Sequence, residues 1–289
     1  MMKRQLLIEQ IKHKDSYLCV GLDTELSKIP AHLQNQSNAI VAFNKAIIDA
    51  TKDFCVSYKI NTAFYEAMGS KGWDAMEETV NYIPETHFKI ADAKRGDIGN
   101  SSSQYAKAFF ETLQFDAITV APYMGEDSIR PFLEYENKWA IVLGLTSNKG
   151  AADFEMQQLL RADTNQGGTE NHLRSAFLYE KVLSTVCKWG TPDNLMFVIG
   201  ATQATEFENI RNIIPDNFLL VPGVGFQGGS LQEVSRHAMN TDCGILVNAS
   251  RAIIYAGHQE NFADEARAIA QQYQAEMRGY LMENGVMDN

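Results

Sequence analysis

Eight short apolar runs recur along the chain, each ending in a polar or glycine-containing turn and each followed by a stretch of helical period. They are YLCVGLD (17–23), CVSYKIN (55–61), HFKIADAK (87–94), DAITVAP (116–122), WAIVLGLTS (139–147), LMFVIGAT (195–202), FLLVPGVG (218–225) and GILVNASR (244–251). Between them lie SNAIVAFNKAIIDATKD, SSQYAKAFFETL and DSIRPFLEYEN, whose apolar residues return every three or four positions. Ser37 and Asp127 stand where helix N-caps are expected. Strand and helix alternate with no composition break between halves, which predicts a parallel sheet. Eight such units in 289 residues fit a (β/α)₈ TIM barrel, read as one catalytic domain over residues 1–289. The competing doubly wound sheet asks for a glycine fingerprint after the first strand, and GLDTELSKIP (21–30) has none.

The interval between the fifth and sixth strands is extended. It contains ADTNQGGTENH (162–172), a polar, glycine-containing stretch. A segment this long on a compact barrel is either a functional lid or an insertion without catalytic consequence, and residues 160–172 fit both.

Composition narrows the partners. Asp and Glu number 36 against 25 Lys and Arg, a formal charge of −11, which argues against nucleic acid or an anionic membrane. Cys19, Cys55, Cys187 and Cys243 are scattered without CxxC spacing, so neither a disulfide framework nor a zinc site is expected. The N-terminal MMKRQLLIEQIKHKD mixes charges with apolar residues and lacks the pattern of a signal peptide. No apolar run approaches membrane-spanning length. The expectation is a soluble cytoplasmic protein.

In a barrel the C-terminal strand ends build the active site, so the residues standing there matter most. The first strand ends in Asp23. The second carries Ser57, Lys59 and Asn61 on one face, and the third carries Asp92 and Lys94, again two apart. Residues 88–101, FKIADAKRGDIGNS, therefore run from a buried strand into charges of both signs. Singly, any of these is more often a solvated or paired charge than a catalytic one. Together, Lys59, Asp92 and Lys94 come from adjacent strands and point into one mouth. Unpaired there, each would cost on the order of several kcal/mol, so an alternating network is expected. PGVGFQGG (222–229) and Ser250-Arg251 read as an anion site, with Gly223, Gly225, Gly228 and Gly229 admitting backbone N–H groups and Gln227 and Arg251 adding side-chain donors. The plainer reading of the glycines is a flexible turn. No histidine or carboxylate spacing suggests a metal, and no cofactor fingerprint is present.

DAKRGDIG (92–99) resembles the DxKxxD motif of orotidine 5′-phosphate decarboxylases. The likeness extends to GLD, YKIN, LTSNKG, VPGVGFQGG and VNASRAIIYA on successive strands, and the IGATQ turn (199–203) is similar to the longer-chain bacterial subgroup. The resemblance implies decarboxylation of orotidine 5′-phosphate to UMP and CO₂ in pyrimidine biosynthesis, without metal or organic cofactor. It implies catalytic roles for Lys94 (proton donor to C6), Asp92 (beside the departing CO₂), Lys59 (holding the charge network) and Asp97, lent by the second subunit of a homodimer with shared sites. Substrate contacts are implied for Asp23 at the ribose, Ser147 at the pyrimidine, and Gln227 and Arg251 at the phosphate, with Ile98, Ser101, Pro222 and Ser250 alongside. Where the family commonly has Thr, four residues after Asp97, this chain has Ser101. Two alternatives stand beside this: a Mg²⁺-dependent sugar-phosphate decarboxylase or synthase of the same superfamily, and a catalytically silent nucleotide-binding barrel.

Overall fold

The computed structural model describes residues 2–162, 173–225 and 228–287. All eight apolar runs form strands: β1 (Leu18–Gly21), β2 (Ser57–Asn61), β3 (Phe88–Arg95), β4 (Ala117–Val120), β5 (Trp139–Leu145), β8 (Leu195–Ile199), β9 (Leu219–Pro222) and β10 (Ile245–Ala249). They pair in parallel and close in the order β1-β2-β3-β4-β5-β8-β9-β10 back to β1. The barrel geometry explains their composition. A strand between barrel interior and helix ring is covered on both faces, so AITV of β4 and LMFVI of β8 are buried at every position.

β3 departs from this rule. Its first four residues, FKIA, are buried, and the strand then emerges through half-buried Asp92 to exposed Lys94. The mixed character of FKIADAKR is thus one strand leaving the core.

The helix ring packs by the expected stripes. Helix Ala39–Thr51 buries Ile40, Phe43, Ile47 and Ile48, and Phe43 stacks at 5.2 Å on Phe262 of the C-terminal helix Phe262–Glu283. Deleting a fully buried aromatic of this kind costs about 3–5 kcal/mol. One hydrophobic core runs from Met2 to Val286.

Neither expected N-cap holds. Helix Ala39–Thr51 is preceded by Asn38, not Ser37. Asp127 lies inside the first turn of helix Glu126–Leu133, after Gly125 at φ 86° has turned the chain. There it faces the positive end of the helix dipole rather than capping an N–H.

The extended interval between β5 and β8 contains structure that hydrophobic period alone did not announce. A 3-10 turn (Lys149–Asp153) leads into an antiparallel hairpin, β6 (Gln158–Ala162) with β7 (Leu173–Phe177), and then helix Leu178–Val186. Residues 163–172, most of the stretch read as lid or insertion, lie outside the described residues. No described helix is long and apolar enough to cross a membrane.

Candidate active site

The C-terminal strand ends enclose a cavity of about 290 Å³ whose lining includes Asp23, Lys59, Asp92, Lys94, Ser147, Pro222, Ser250 and Arg251. Eight of the sequence-predicted positions therefore meet at one place. Leu143, Val198 and Leu220 supply an apolar floor.

At its charged wall, cations and carboxylates alternate. Lys59 Nζ donates to Asp92 Oδ2 at 2.9 Å and faces Asp23 Oδ1 at 3.4 Å. Lys94 Nζ donates to the other Asp92 oxygen, Oδ1, at 2.5 Å. Burial differs along the row: the side chain of Lys59 is 5% exposed, that of Asp92 12%, and that of Lys94 52%. Burial alone would discharge Lys59, but the Asp92 and Asp23 carboxylates outweigh it and raise its pKa. Burial likewise works against Asp92, and the two lysines overcome it, holding the carboxyl well below the usual range. Lys59 and Asp92 therefore both stay charged at neutral pH.

Supporting bonds fix the row. Tyr255 donates its hydroxyl to the backbone oxygen of Asp23 at 3.1 Å. Buried Asn44 accepts from Thr24 and donates to Tyr65, whose hydroxyl donates to the oxygen of Leu22. The Lys94 backbone is left-handed, φ 45°, a conformation that costs an L-residue about 1–2 kcal/mol. Strain at this position must be held by its surroundings.

Across the mouth, the end of β5 is set by neighbours. Glu155 accepts from the N–H of Thr146 at 2.6 Å, and Gln203 donates to the Thr146 oxygen at 3.0 Å. A Cβ on Gly200 would come within 2.6 Å of the Ser147 nitrogen, so only glycine lets the two chains approach here.

The chain belongs to the orotidine 5′-phosphate decarboxylase / HUMPS family. The sequence model of that family matches residues 16–266, which carry all eight barrel strands. Over 97% of its length the chain is 56% identical to an orotidine 5′-phosphate decarboxylase of Bacteroides fragilis, covering 98% of that protein. The corresponding protein of Flavobacterium johnsoniae is 57% identical, with 96% and 97% covered. Among solved structures, OMP decarboxylase of Leishmania donovani superposes with a TM-score of 0.75 at 32% identity, over 95% of this chain and 99% of that one.

Not every expected site residue reaches the cavity. Asp97, Ile98 and Ser101 are absent from its lining among the described residues. Asp97 Oδ1 instead accepts from the N–H of Ile98 at 2.8 Å, Ile98 is 55% exposed, and Ser101 is exposed near the start of helix Gly99–Lys107. Gln227 lies outside the described residues. The glycine loop bonds largely to itself. The N–H groups of Gly225, Gly228 and Gly229 donate to Gly229, Gly225 and Gly223 oxygens within the loop. Gly223, Gly225 and Gly228 are left-handed, and three of the four glycine amides are taken up by oxygens of the loop's described glycines.

Among the polar lining residues given no role from the sequence are Asn61 and Thr119. Asn61 ends β2 and was visible by alternation with Lys59, though not singled out for a role. Thr119 of β4 sits inside an ordinary β-branched strand and gave no signal.

Proposed function

We propose that this chain decarboxylates orotidine 5′-phosphate to UMP and CO₂, without a metal or organic cofactor, as one catalytic domain. The observation that carries the reading is the Lys59–Asp92–Lys94 row: charged, hydrogen-bonded, and closing one wall of a cavity lined with polar groups on the opposite side. A family member this similar to proteins of that name supplies the substrate.

The chemistry follows from the row. The bond between C6 and the carboxylate carbon breaks, CO₂ leaves, and the electron pair stays in the ring plane at C6. An ammonium held in place beside C6 stabilises that charge as it develops, with no reorganisation at the moment of reaction. Lys94 then gives its proton to C6, forming UMP. Half-exposed Lys94 regains a proton from solvent, whereas buried Lys59 has no such route and serves to hold Asp92 in place. Asp92 lies beside the departing CO₂. Asp23 takes the ribose hydroxyls, Ser147 the pyrimidine, and Pro222, Gln227, Ser250 and Arg251 surround the phosphate.

Asp97, Ile98 and Ser101 serve a second copy of the chain in a homodimer with shared sites. In support, Asp97 is absent from the lining of its own cavity, and Ile98, Tyr123 (89% exposed) and Met124 (48% exposed) leave apolar surface beyond the strand ends. A cytoplasmic setting agrees with four free cysteines, three of them buried.

The Mg²⁺-dependent reading fares worse on the donor set. The two carboxylates that could share a divalent ion, Asp23 and Asp92, already hold the Lys59 ammonium between them. The deciding experiment follows the loss of orotidine 5′-phosphate absorbance with and without EDTA. Equal turnover in both is expected. Activity lost to EDTA and regained with Mg²⁺ would transfer the chain to the metal-dependent class, and no turnover in either would leave a silent binder.

A further inference from the structure

The lysine that the reaction needs stands on an irregular piece of strand. β3 and β4 pair in step as far as Ala91 with Ile118, and resume with Arg95 opposite Val120. Between those pairs Asp92, Ala93 and Lys94 face Thr119 alone, so β3 carries a bulge at the position where Lys94 turns left-handed. A bulged residue loses its partner in the strand ladder, and the N–H of Lys94 would be left unbonded. It donates instead to the side chain of Thr119, Oγ1, at 2.9 Å. The same hydroxyl donates its own proton to Asp92 Oδ1 at 3.1 Å, the oxygen that receives Lys94 Nζ. The result is a closed ring running from the Lys94 backbone through Thr119 and Asp92 to the Lys94 ammonium. Thr119 is 1% exposed, so no bulk water stands ready to replace its oxygen.

Valine would fill this place with the same shape and an equal or better preference for a strand. A threonine is needed only if its hydroxyl is used, and here it serves both as acceptor, from the Lys94 N–H, and as donor, to Asp92. We infer that Thr119 is a positioning residue: it holds the Lys94 backbone in its left-handed turn and aims Asp92 at the ammonium. This rests on the reading of Lys94 as the proton donor. It also gives the bulge a purpose, since bulges re-aim side chains beside active sites.

The test compares Thr119→Val and Thr119→Ser with the wild type, measuring kcat, the dissociation constant of UMP and the melting temperature of each. Thr119→Val is expected to lose about a hundredfold in kcat, the scale of an ångström-sized misplacement of a catalytic group. Its affinity for UMP should stay within about threefold, because the proposed base and phosphate contacts lie on other strands and a hundredfold loss confined to kcat reports the transition state alone. Thr119→Ser keeps the oxygen and should return to within about threefold of wild-type kcat. Should Thr119→Val not fold, Thr119→Ala set against Thr119→Ser makes the same comparison, as only the hydroxyl differs. A folded Thr119→Val with wild-type kcat overturns the inference. So does a serine variant as slow as alanine, or a loss of UMP affinity as large as the loss of kcat, which would mark a merely structural role. A wild type that does not turn over orotidine 5′-phosphate would overturn the functional reading, and this inference with it.

Discussion

At the bottom of the barrel, where the strands begin, Lys14, Lys138 and Arg211 donate hydrogen bonds to backbone carbonyls, while Lys89 pairs with Glu85; at the mouth Lys59 and Lys94 face carboxylates. Lys14 Nζ donates to the oxygens of Lys52 and Cys55, Lys138 Nζ to that of Phe115, and Arg211 to those of Ala238, Asn217 and Gly244. Carbonyls are neutral dipoles, so desolvation prevails: burial lowers the pKa of Lys14 and Lys138, and brings that of Arg211 to about 10. Lys59 is buried more deeply, yet its pKa is raised, because Asp92 and Asp23 answer it with full charges. The bottom uses charge to tie off chain ends left without partners. The mouth uses charge to oppose charge, which leaves a strong, fixed field at the edge of a cavity. Replacing a buried ion pair by apolar residues is often neutral or stabilising, so the mouth's arrangement is explained by chemistry better than by stability.

The largest test removes the exposed end of that field. Lys94→Ala should lose at least about 10³-fold in kcat, about 4 kcal/mol of barrier, since the electrostatic stabilisation and the proton donor go together. Its stability should change by less than about 1 kcal/mol, because Lys94 is half-exposed and Asp92 keeps Lys59. Steady-state kinetics beside urea denaturation reads both. A variant with a tenth of wild-type kcat would mean that another group is the acid.

A second experiment asks whether the mouth is completed by one chain or two. Homodimers of Lys94→Ala and of Asp97→Ala should each be nearly inactive. Refolded together in equal amounts, they should give about half heterodimers, each with one intact and one doubly altered site, so roughly a quarter of all sites should work. If mass measurement confirms heterodimers and the mixture stays as inactive as its parents, Asp97 acts within its own chain.

The two ends also differ in how far they could be read from sequence. The eight barrel strands were legible because a strand covered on both faces must be apolar along its length, as in LMFVI of β8. Lys59, Asp92 and Lys94 were legible because strand alternation and barrel topology put them into one mouth. The bulge was not. Nothing in FKIADAKR says that three residues will face one on β4, and until that register is known Thr119 is an unremarked strand threonine. The hairpin β6–β7 escaped for a related reason: it lies outside the barrel, and none of its described side chains is buried to mark a period. The carbonyl clamps of the bottom were illegible as well, since a lysine bonded to backbone leaves no complementary residue to find.

The smallest expected effect is at one of those clamps. His87 precedes β3 and its Nε2 stands 2.7 Å from Lys14 Nζ, beside the oxygen of Lys52 and against the ring of Tyr58. Burial and the neighbouring ammonium push its pKa down from 6.5 to about 4. A depressed histidine is neutral in the fold, whereas in the unfolded chain it takes up a proton as soon as pH falls below about 6.5. The unfolded state then binds more protons, so stability contributed by neutral His87 is complete above that pH and is lost as pH falls toward 4. By pH 4 the loss is on the order of 3 kcal/mol. His87→Gln has no such proton to bind, so the stability gap between the two proteins, measured by urea denaturation from pH 7 to pH 4, should move in the variant's favour by that amount. Its kcat at pH 7 should match the wild type, as the clamp lies at the far end of the barrel from the mouth. A gap that stays constant with pH would show that His87 takes up its proton in the fold as readily as in the unfolded chain, and that at this clamp the bottom tolerates two adjacent cations after all.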